Sequence, residues 1–280
     1  MKIIVINLKK SKDRLSLFSQ NLKKLNIPFE RFNAIYGKEL DYSTIYDNTT
    51  FMARNLLCNH GIIGCALSHF EVWKQFKQSG DDFILICEDD IEFTEELKKI
   101  IKDNLINRIY NRTFFDIISL NCSIGITGYF RDLVKFQDLE ISYPIFPLTM
   151  ASYIVSKKGV DKLLERFKKV NYHIDFEIAI LNFFSDFIYC DIRSPTLVKV
   201  SREVESNISD DLNKGIFLKH LKSLGLYDIE WVLNNSACTL FLKGVITVYI
   251  LILIILIILG FCKKWYLFTL FLILELCLSI

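Results

Sequence analysis

Three consecutive acids, Glu88, Asp89 and Asp90, follow directly on the apolar run Phe83-Ile84-Leu85-Ile86-Cys87. Such a run reads as a strand covered on both faces. Carboxylates at the carboxyl end of a strand of this kind lie where open α/β sheets bind their ligands. Three adjacent acids repel one another and need a counter-charge or solvent. A divalent cation bridging to a diphosphate would supply that charge, and oxygen donors suit Mg²⁺ or Mn²⁺. The competing reading is a solvated acidic turn ahead of a helix. The abrupt change from FILIC to EDD favours function, because the strand fixes the acids at a sheet edge.

Cys65, His69 and Trp73 are spaced i, i+4, i+8 and share one helix face. His69 is either a hydrogen-bonded core histidine against Trp73 or a donor-site group. Gly61 and Gly64 ahead of it would let a phosphate approach backbone at a helix N-terminus. Ser68, beside His69, lacks the surrounding pattern of a hydrolase nucleophile elbow. The eight cysteines contain no C-x-x-C pair, so their spacing indicates neither a zinc site nor a thioredoxin-like motif.

The elements that must position these groups alternate in α/β fashion. Ile3–Ile6 reads as a first strand. Ser11 is placed to cap a helix through Leu15, Phe18, Leu22 and Leu25, which Asn26-Ile27-Pro28 ends. Phe29–Ile35 reads as a second strand, and the polar stretch 37–59 as a long loop. Residues 61–80 form an amphipathic helix. After the acids, Thr94 is placed to cap a further helix. Phe114–Leu120 and Ala151–Val155 read as strands, Ser156 as the cap of a helix reaching Phe167, and Phe187–Cys190 as a last short strand. Residues 123–148 look irregular.

The 280 residues are 51% hydrophobic, which excludes a disordered chain, and 11 Gly with 4 Pro exclude a collagen-like one. With 34 basic and 32 acidic residues the net charge is +2, no surplus for nucleic acid. The apolar residues are unevenly spread. Gly244 to Phe261 runs without a charge, and as a helix would reach about 27 Å, close to the hydrocarbon thickness of about 30 Å. Cys262, Lys263 and Lys264 follow, then an apolar run from Trp265 to Ile280 broken only by Glu275. The chain therefore divides into a soluble domain, residues 1–235, and a membrane-anchoring segment, residues 240–280. Within that segment 244–262 is transmembrane and 265–280 is a second apolar stretch. The basic charges of a helix over 215–226 read first as a solvated face, and second as a surface for anionic head groups. Lys9-Lys10 ends the N-terminal apolar run too early for an export signal, which places the soluble domain on the cytoplasmic face of a membrane.

IIVINLKKSKDR, FERFNAIYGKEL, GIIGCALSHFEVW, LICEDDIEF and ASYIVSKKGVDKLL occur in this order, followed by Ile174-Asp175. Together these blocks resemble glycosyltransferase family 25, enzymes of bacterial lipopolysaccharide and lipooligosaccharide biosynthesis. The match covers roughly residues 2–208 and leaves the apolar tail outside. The resemblance implies a GT-A-type nucleotide-sugar-binding fold, a Rossmann-like mixed sheet flanked by helices. It also implies inverting, metal-dependent transfer of a hexose, galactose first, from a UDP-sugar to a lipid-linked oligosaccharide at the bacterial inner membrane. Carried across, Asp90 is the first metal ligand and Glu88 the second, with Mn²⁺ or Mg²⁺ as the ion. Glu88, Asp89, Asn7, Gly64, Ser68, His69 and Tyr153 fall on the donor side. The Glu-x-Asp at 88 and 90 departs from a strict Asp-x-Asp, which leaves the role of Glu88 open. An inverting transfer needs a general base, for which Asp175 is the first candidate and Glu177 the second. A nucleotidyltransferase of related fold would carry a glycine-rich basic loop after the first strand; Lys9-Lys10-Ser11-Lys12 lacks the glycines. A catalytically inactive membrane scaffold is the non-enzymatic alternative.

Overall fold

A computed structural model describes residues 1–51, 53–102, 105–121, 130–144, 147 and 150–200. In chain order the elements begin with β1 (Lys2–Asn7), α1 (Lys12–Leu25), β2 (Glu30–Asn33), α2 (Tyr42–Asn48), α3 (His60–Gln78) and β3 (Phe83–Glu88). They continue with β4 (Ile91–Phe93), α4 (Leu97–Lys102), α5 (Leu105–Thr113), β5 (Ile117–Ser119), β6 (Phe130–Phe136) and β7 (Leu139–Pro144). The last are β8 (Ser152–Ser156), α6 (Lys157–Arg166), α7 (Ile174–Phe184), β9 (Tyr189–Ser194) and β10 (Val198–Val200).

Eight strands form one mixed sheet in the order β2-β1-β3-β8-β5-β9-β7-β6, and β10 pairs with β4 in a small second sheet. β1 runs parallel to both β2 and β3, while β8 lies antiparallel between β3 and β5. The period-2 alternation of a strand divides the core into two layers. Ile3, Val5, Leu85 and Cys87 face α1, α4 and α5 through Phe18, Leu22, Leu97, Ile100 and Ile109. Ile4, Ile6, Ile84 and Ile86 face α3, α6 and α7 through Ile63, Trp73, Val160, Leu163 and Ile178. Leu85 and Ile86 are fully buried, each contributing about 1.5–3 kcal/mol by leaving water. That double coverage is why FILIC carries no polar residue until Glu88.

The β-α-β opening, the 61–80 helix and the central strands match the sequence expectation. Asn26 ends α1 with φ 55° in the left-handed region, a conformation Asn tolerates. Ser156 caps α6 by accepting from the Gly159 N–H at 3.0 Å.

Other expectations are corrected. The stretch 37–59 is not a long loop: it holds a 3₁₀ turn at Gly37–Glu39, α2, and a π-helical turn at Ala53–Leu57. Asp41 caps α2 by accepting from Thr44 N–H at 2.8 Å, so the polar residues there are caps and exposed faces. Ser11 occupies the N-cap position of α1 without a side-chain cap bond. The Thr94 hydroxyl donates to the Thr196 carbonyl at 2.8 Å, tying β4 to the β10 segment instead of capping a helix. Part of the supposedly irregular 123–148 stretch is the antiparallel β6–β7 pair at the sheet edge. The last strand of the large sheet extends to Ser194, beyond Cys190.

No helix among the described residues is long and apolar enough to cross a membrane. The segments 244–262 and 265–280 and the basic stretch 215–226 lie outside the described residues.

Candidate active site

The acidic trio stands at the carboxyl end of β3, beside the end of β1, where Ile6 is in register with Glu88. Asp89 turns toward β1 and α1. Its Oδ2 accepts from Asn7 Nδ2 at 2.5 Å, and its Oδ1 lies 3.0 Å from Arg14 Nε. The same guanidinium reaches Asp90 Oδ2 at 2.9 Å. Arg14 therefore supplies part of the counter-charge that the three acids need. Asn7 also donates to the Ser11 carbonyl and accepts from Arg31 Nε, both at 2.9 Å, so it locks β1 to the start of α1 and to β2.

Glu88 points the other way, toward α3. Its Oε1 lies 3.8 Å from His69 Nε2. His69 is fully buried, and its Nδ1 lies 2.8 Å from the Tyr153 hydroxyl, which accepts the Trp73 indole N–H at 2.9 Å. Tyr153, wholly buried on β8, thus stands behind His69 as its support. His69 Nε2 has no hydrogen-bond partner among the described residues. Cys65, one turn before His69, completes a group: one donor atom each from Cys65, His69 and Glu88 lie within 4.8 Å of one another.

Gly64 and Ser68 hold α3 in place. A Cβ on Gly64 would sit 2.5 Å from the Ile35 carbonyl oxygen and 2.6 Å from Gly37 N. Ser68 Oγ accepts from Ile35 N–H at 2.8 Å and donates to the Gly64 carbonyl at 2.7 Å, so its hydroxyl is already engaged.

Asp175 lies in the first turn of α7, which covers the same sheet face as α3, and is 3.9 Å from the ring of His173, the N-cap residue. Its carboxyl is pushed up to about 7 by burial, with the Glu88 charge adding to the rise and His69 opposing it. Glu177, two residues on, turns to Asn171, Tyr172 and Arg166. Burial pushes it to about 7 against a hydrogen bond from Asn171. The structure therefore places Asp175 within electrostatic reach of Glu88 and His69, and directs Glu177 to other partners.

The other acids divide by environment. Burial and the neighbouring Glu88 charge push Asp90 up to about 6, although Arg14 pulls it down. Burial likewise raises Asp89 against Arg14 and Asn7. Burial would raise Glu88 as well, but His69, His173 and Arg14 together outweigh it and hold its carboxyl below the usual range. Burial lowers the His173 imidazole. Burial is the larger cause of the Asp90 rise, and the Glu88 charge also outweighs Arg14 there. A hard divalent cation fits that donor set, with Glu88 and Asp90 as the carboxylates that would hold it.

Arg14, Arg31 and His173 were not singled out by motif, and Cys65 was named only for sharing a helix face with His69. Arg14 and Arg31 come from an ordinary helix and an edge strand. The available signal for His173 was its place two residues before Asp175, and for Cys65 its i, i+4 spacing to His69.

In a mixed α/β sheet, carboxylates gathered at a strand end stand where such sheets bind ligands. The description of glycosyltransferase family 25 (LPS biosynthesis protein) matches residues 1–178, and the chain belongs to that family. A Haemophilus influenzae protein named putative glycosyltransferase is 28% identical over 66% of this chain and 63% of its own length. Procollagen galactosyltransferase 1-B of Xenopus laevis is 28% identical over 58% of this chain. The chain thus spans less than two thirds of either relative, only 28% in the second case. Among solved structures, S. aureus TarS 1-349 in complex with UDP-GlcNAc is similar at 14% identity and a TM-score of 0.45, covering 84% of this chain and 68% of that one.

Proposed function

We propose that this protein is a GT-A-type glycosyltransferase that moves a hexose, galactose first, from a UDP-sugar to a glycan acceptor. Family membership supports the reaction class, and the galactosyltransferase names of relatives support the sugar. The observation that carries the mechanism is Asp175, a half-buried carboxylate held near 7, with the Glu88 charge adding to the rise. A general base works best with a pKa near the operating pH. Asp175 takes the proton from the acceptor hydroxyl, the acceptor oxygen bonds to the anomeric carbon, and the sugar–phosphate bond breaks on the opposite face with UDP leaving. The anomeric centre inverts. A divalent cation, Mn²⁺ or Mg²⁺, bound by Glu88 and Asp90 would neutralise charge developing on the departing diphosphate. Arg14 fixes Asp89 and Asp90 at the strand end, and Asn7 fixes Asp89 to β1. His69, braced by Tyr153 and Trp73, sets the side of Glu88 that faces α3.

The acceptor we assign is a lipid-linked oligosaccharide of lipopolysaccharide or lipooligosaccharide type. The catalytic domain, residues 1–235, works on the cytoplasmic face of the inner membrane, held by residues 240–280. Tethering raises the enzyme's effective concentration near a membrane acceptor without new contacts.

The test is UDP release by the detergent-solubilised protein with a panel of UDP-sugars, with and without lipooligosaccharide, in Mn²⁺ or EDTA. Release that requires metal and is strongest with UDP-galactose is expected. Absence of EDTA-sensitive release with every donor and acceptor overturns the reading.

A further inference from the structure

We propose that Cys65, His69 and Glu88 form a binding site for Zn²⁺, which shares Glu88 with the hard-cation site at Asp90 but differs from it in donor chemistry. Cys65 and His69 lie one turn apart on the same face of α3, and β3 delivers Glu88 opposite them. A sulfur, a ring nitrogen and a carboxylate oxygen, one from each residue, lie within 4.8 Å of one another. Zinc bonds of about 2.0–2.3 Å place neighbouring tetrahedral ligands about 3.5 Å apart. His69 Nε2 and Glu88 Oε1, at 3.8 Å, already approach that spacing. Small side-chain rotations close the rest.

The second observation is the state of the His69 ring. Nε2 is wholly buried and has no hydrogen-bond partner among the described residues. A buried polar atom left unpaired carries its full desolvation cost, and coordination to an ion removes that cost. The other ring nitrogen is held, because Nδ1 lies 2.8 Å from the Tyr153 hydroxyl. With Nδ1–H donating to that oxygen, a second lone pair remains for the Trp73 indole N–H at 2.9 Å. Nε2 then presents its lone pair toward Cys65 and Glu88. Metal-bound histidines are oriented in this way, by an outer partner on the nitrogen that does not touch the ion.

The sulfur selects the ion. Mg²⁺ and Mn²⁺ prefer oxygen, whereas Zn²⁺ takes thiolate, imidazole and carboxylate together. Three protein ligands leave its fourth position open.

The full-length protein, stripped with chelator and shown folded by circular dichroism, is titrated with Zn²⁺ against a chromophoric chelator. One Zn²⁺ per chain is expected. Cys65→Ser and His69→Ala should each weaken binding by at least about 10-fold, Tyr153→Phe by about 10–100-fold as an outer-shell partner, and Asp90→Asn little. Co²⁺ loading gives an independent reading on the unaltered chain, where a sulfur-to-cobalt charge-transfer band is expected. No Zn²⁺ uptake by the folded wild type overturns the site, as does a cobalt spectrum lacking that band. Binding lost in Asp90→Asn but kept in Cys65→Ser places the ion on the acidic trio and also overturns it. None of these readouts depends on transferase activity.

Discussion

Asp175 and Asp90 are both carboxylates with raised proton affinity, but their surroundings separate their roles. Asp90 shares the Arg14 guanidinium with Asp89, whereas Asp175 sits against His173 and feels Glu88 across the site. With Asp175 as base, kcat/KM should rise as pH passes about 7, where its carboxyl loses the proton. Asp175→Asn should lower kcat/KM by about 10²–10⁴-fold and abolish that rise; a pH–rate profile of both proteins checks it. A retained limb would assign the base elsewhere. Asp90→Asn should abolish turnover while circular dichroism stays native, and near-normal activity would remove Asp90 from the essential ligands. The acids were legible in the sequence because an apolar strand ends abruptly in them. Arg14 was not, because its partners are set by how α1 packs against β3, and nothing local in KDRLSLF marks it.

Helix α3 shows how an element positions a site through backbone contact. The motif residues Gly64 and Ser68 are buried and clamp α3 onto the segment after β2, which fixes where Cys65 and His69 stand. A methyl at Gly64 meets backbone atoms at 2.5 and 2.6 Å, which no side-chain rotation can relieve. Gly64→Ala should therefore destabilise the fold by about 1–3 kcal/mol, read as a lower urea midpoint with unchanged slope. It should also reduce activity by shifting His69; an unchanged midpoint would contradict the clamp. β1, β3 and β8 were legible because strands buried on both faces are uninterrupted apolar runs. α2 and the 53–57 turn were not, since short elements with caps and exposed aromatics resemble loop composition. β7 went unread because Leu139–Pro144 interleaves buried Leu139 and Ile141 with half-exposed Glu140 and Tyr143, too short a pattern to stand out.

At the level of the whole chain, the hydrophobic content separates into the two core layers and the tail beyond Lys243. If residues 240–280 anchor the enzyme, the intact chain sediments with membranes and a chain ending at residue 239 does not. Transfer to lipooligosaccharide embedded in vesicles should then fall more than transfer to a detergent-dispersed acceptor. Equal sedimentation of the two chains would place the membrane attachment elsewhere.

Stability against pH is also a property of the whole molecule, and its sign follows from which acids folding perturbs. Asp90, Asp175, Glu177 and Asp191 have folded values raised to about 6, 7, 7 and 7. A raised acid binds its proton more tightly in the folded chain. Its contribution is full below the unfolded value near 4 and is lost as pH rises through the folded value. Glu88 and Asp41, held low, and His173, whose imidazole burial lowers, run oppositely but are outnumbered. Thermal stability should therefore fall between pH 5 and pH 8. Asp191 isolates the effect: it is 1% exposed on β9, and both carboxylate oxygens lack a hydrogen-bond partner among the described residues. Burial alone drives its rise, with Arg193 opposing it. Asp191→Asn keeps the shape and removes the buried charge. At pH 8 the variant should be more stable by about 2–4 kcal/mol, since each tenfold gain in proton affinity on folding corresponds to about 1.4 kcal/mol. By pH 5, where Asp191 is already protonated in the folded chain, most of that gain should be gone. Melting temperatures of the two proteins at both pH values decide it. A gain independent of pH would mean that the carboxylate is neutralised by a partner and is not buried as a bare charge.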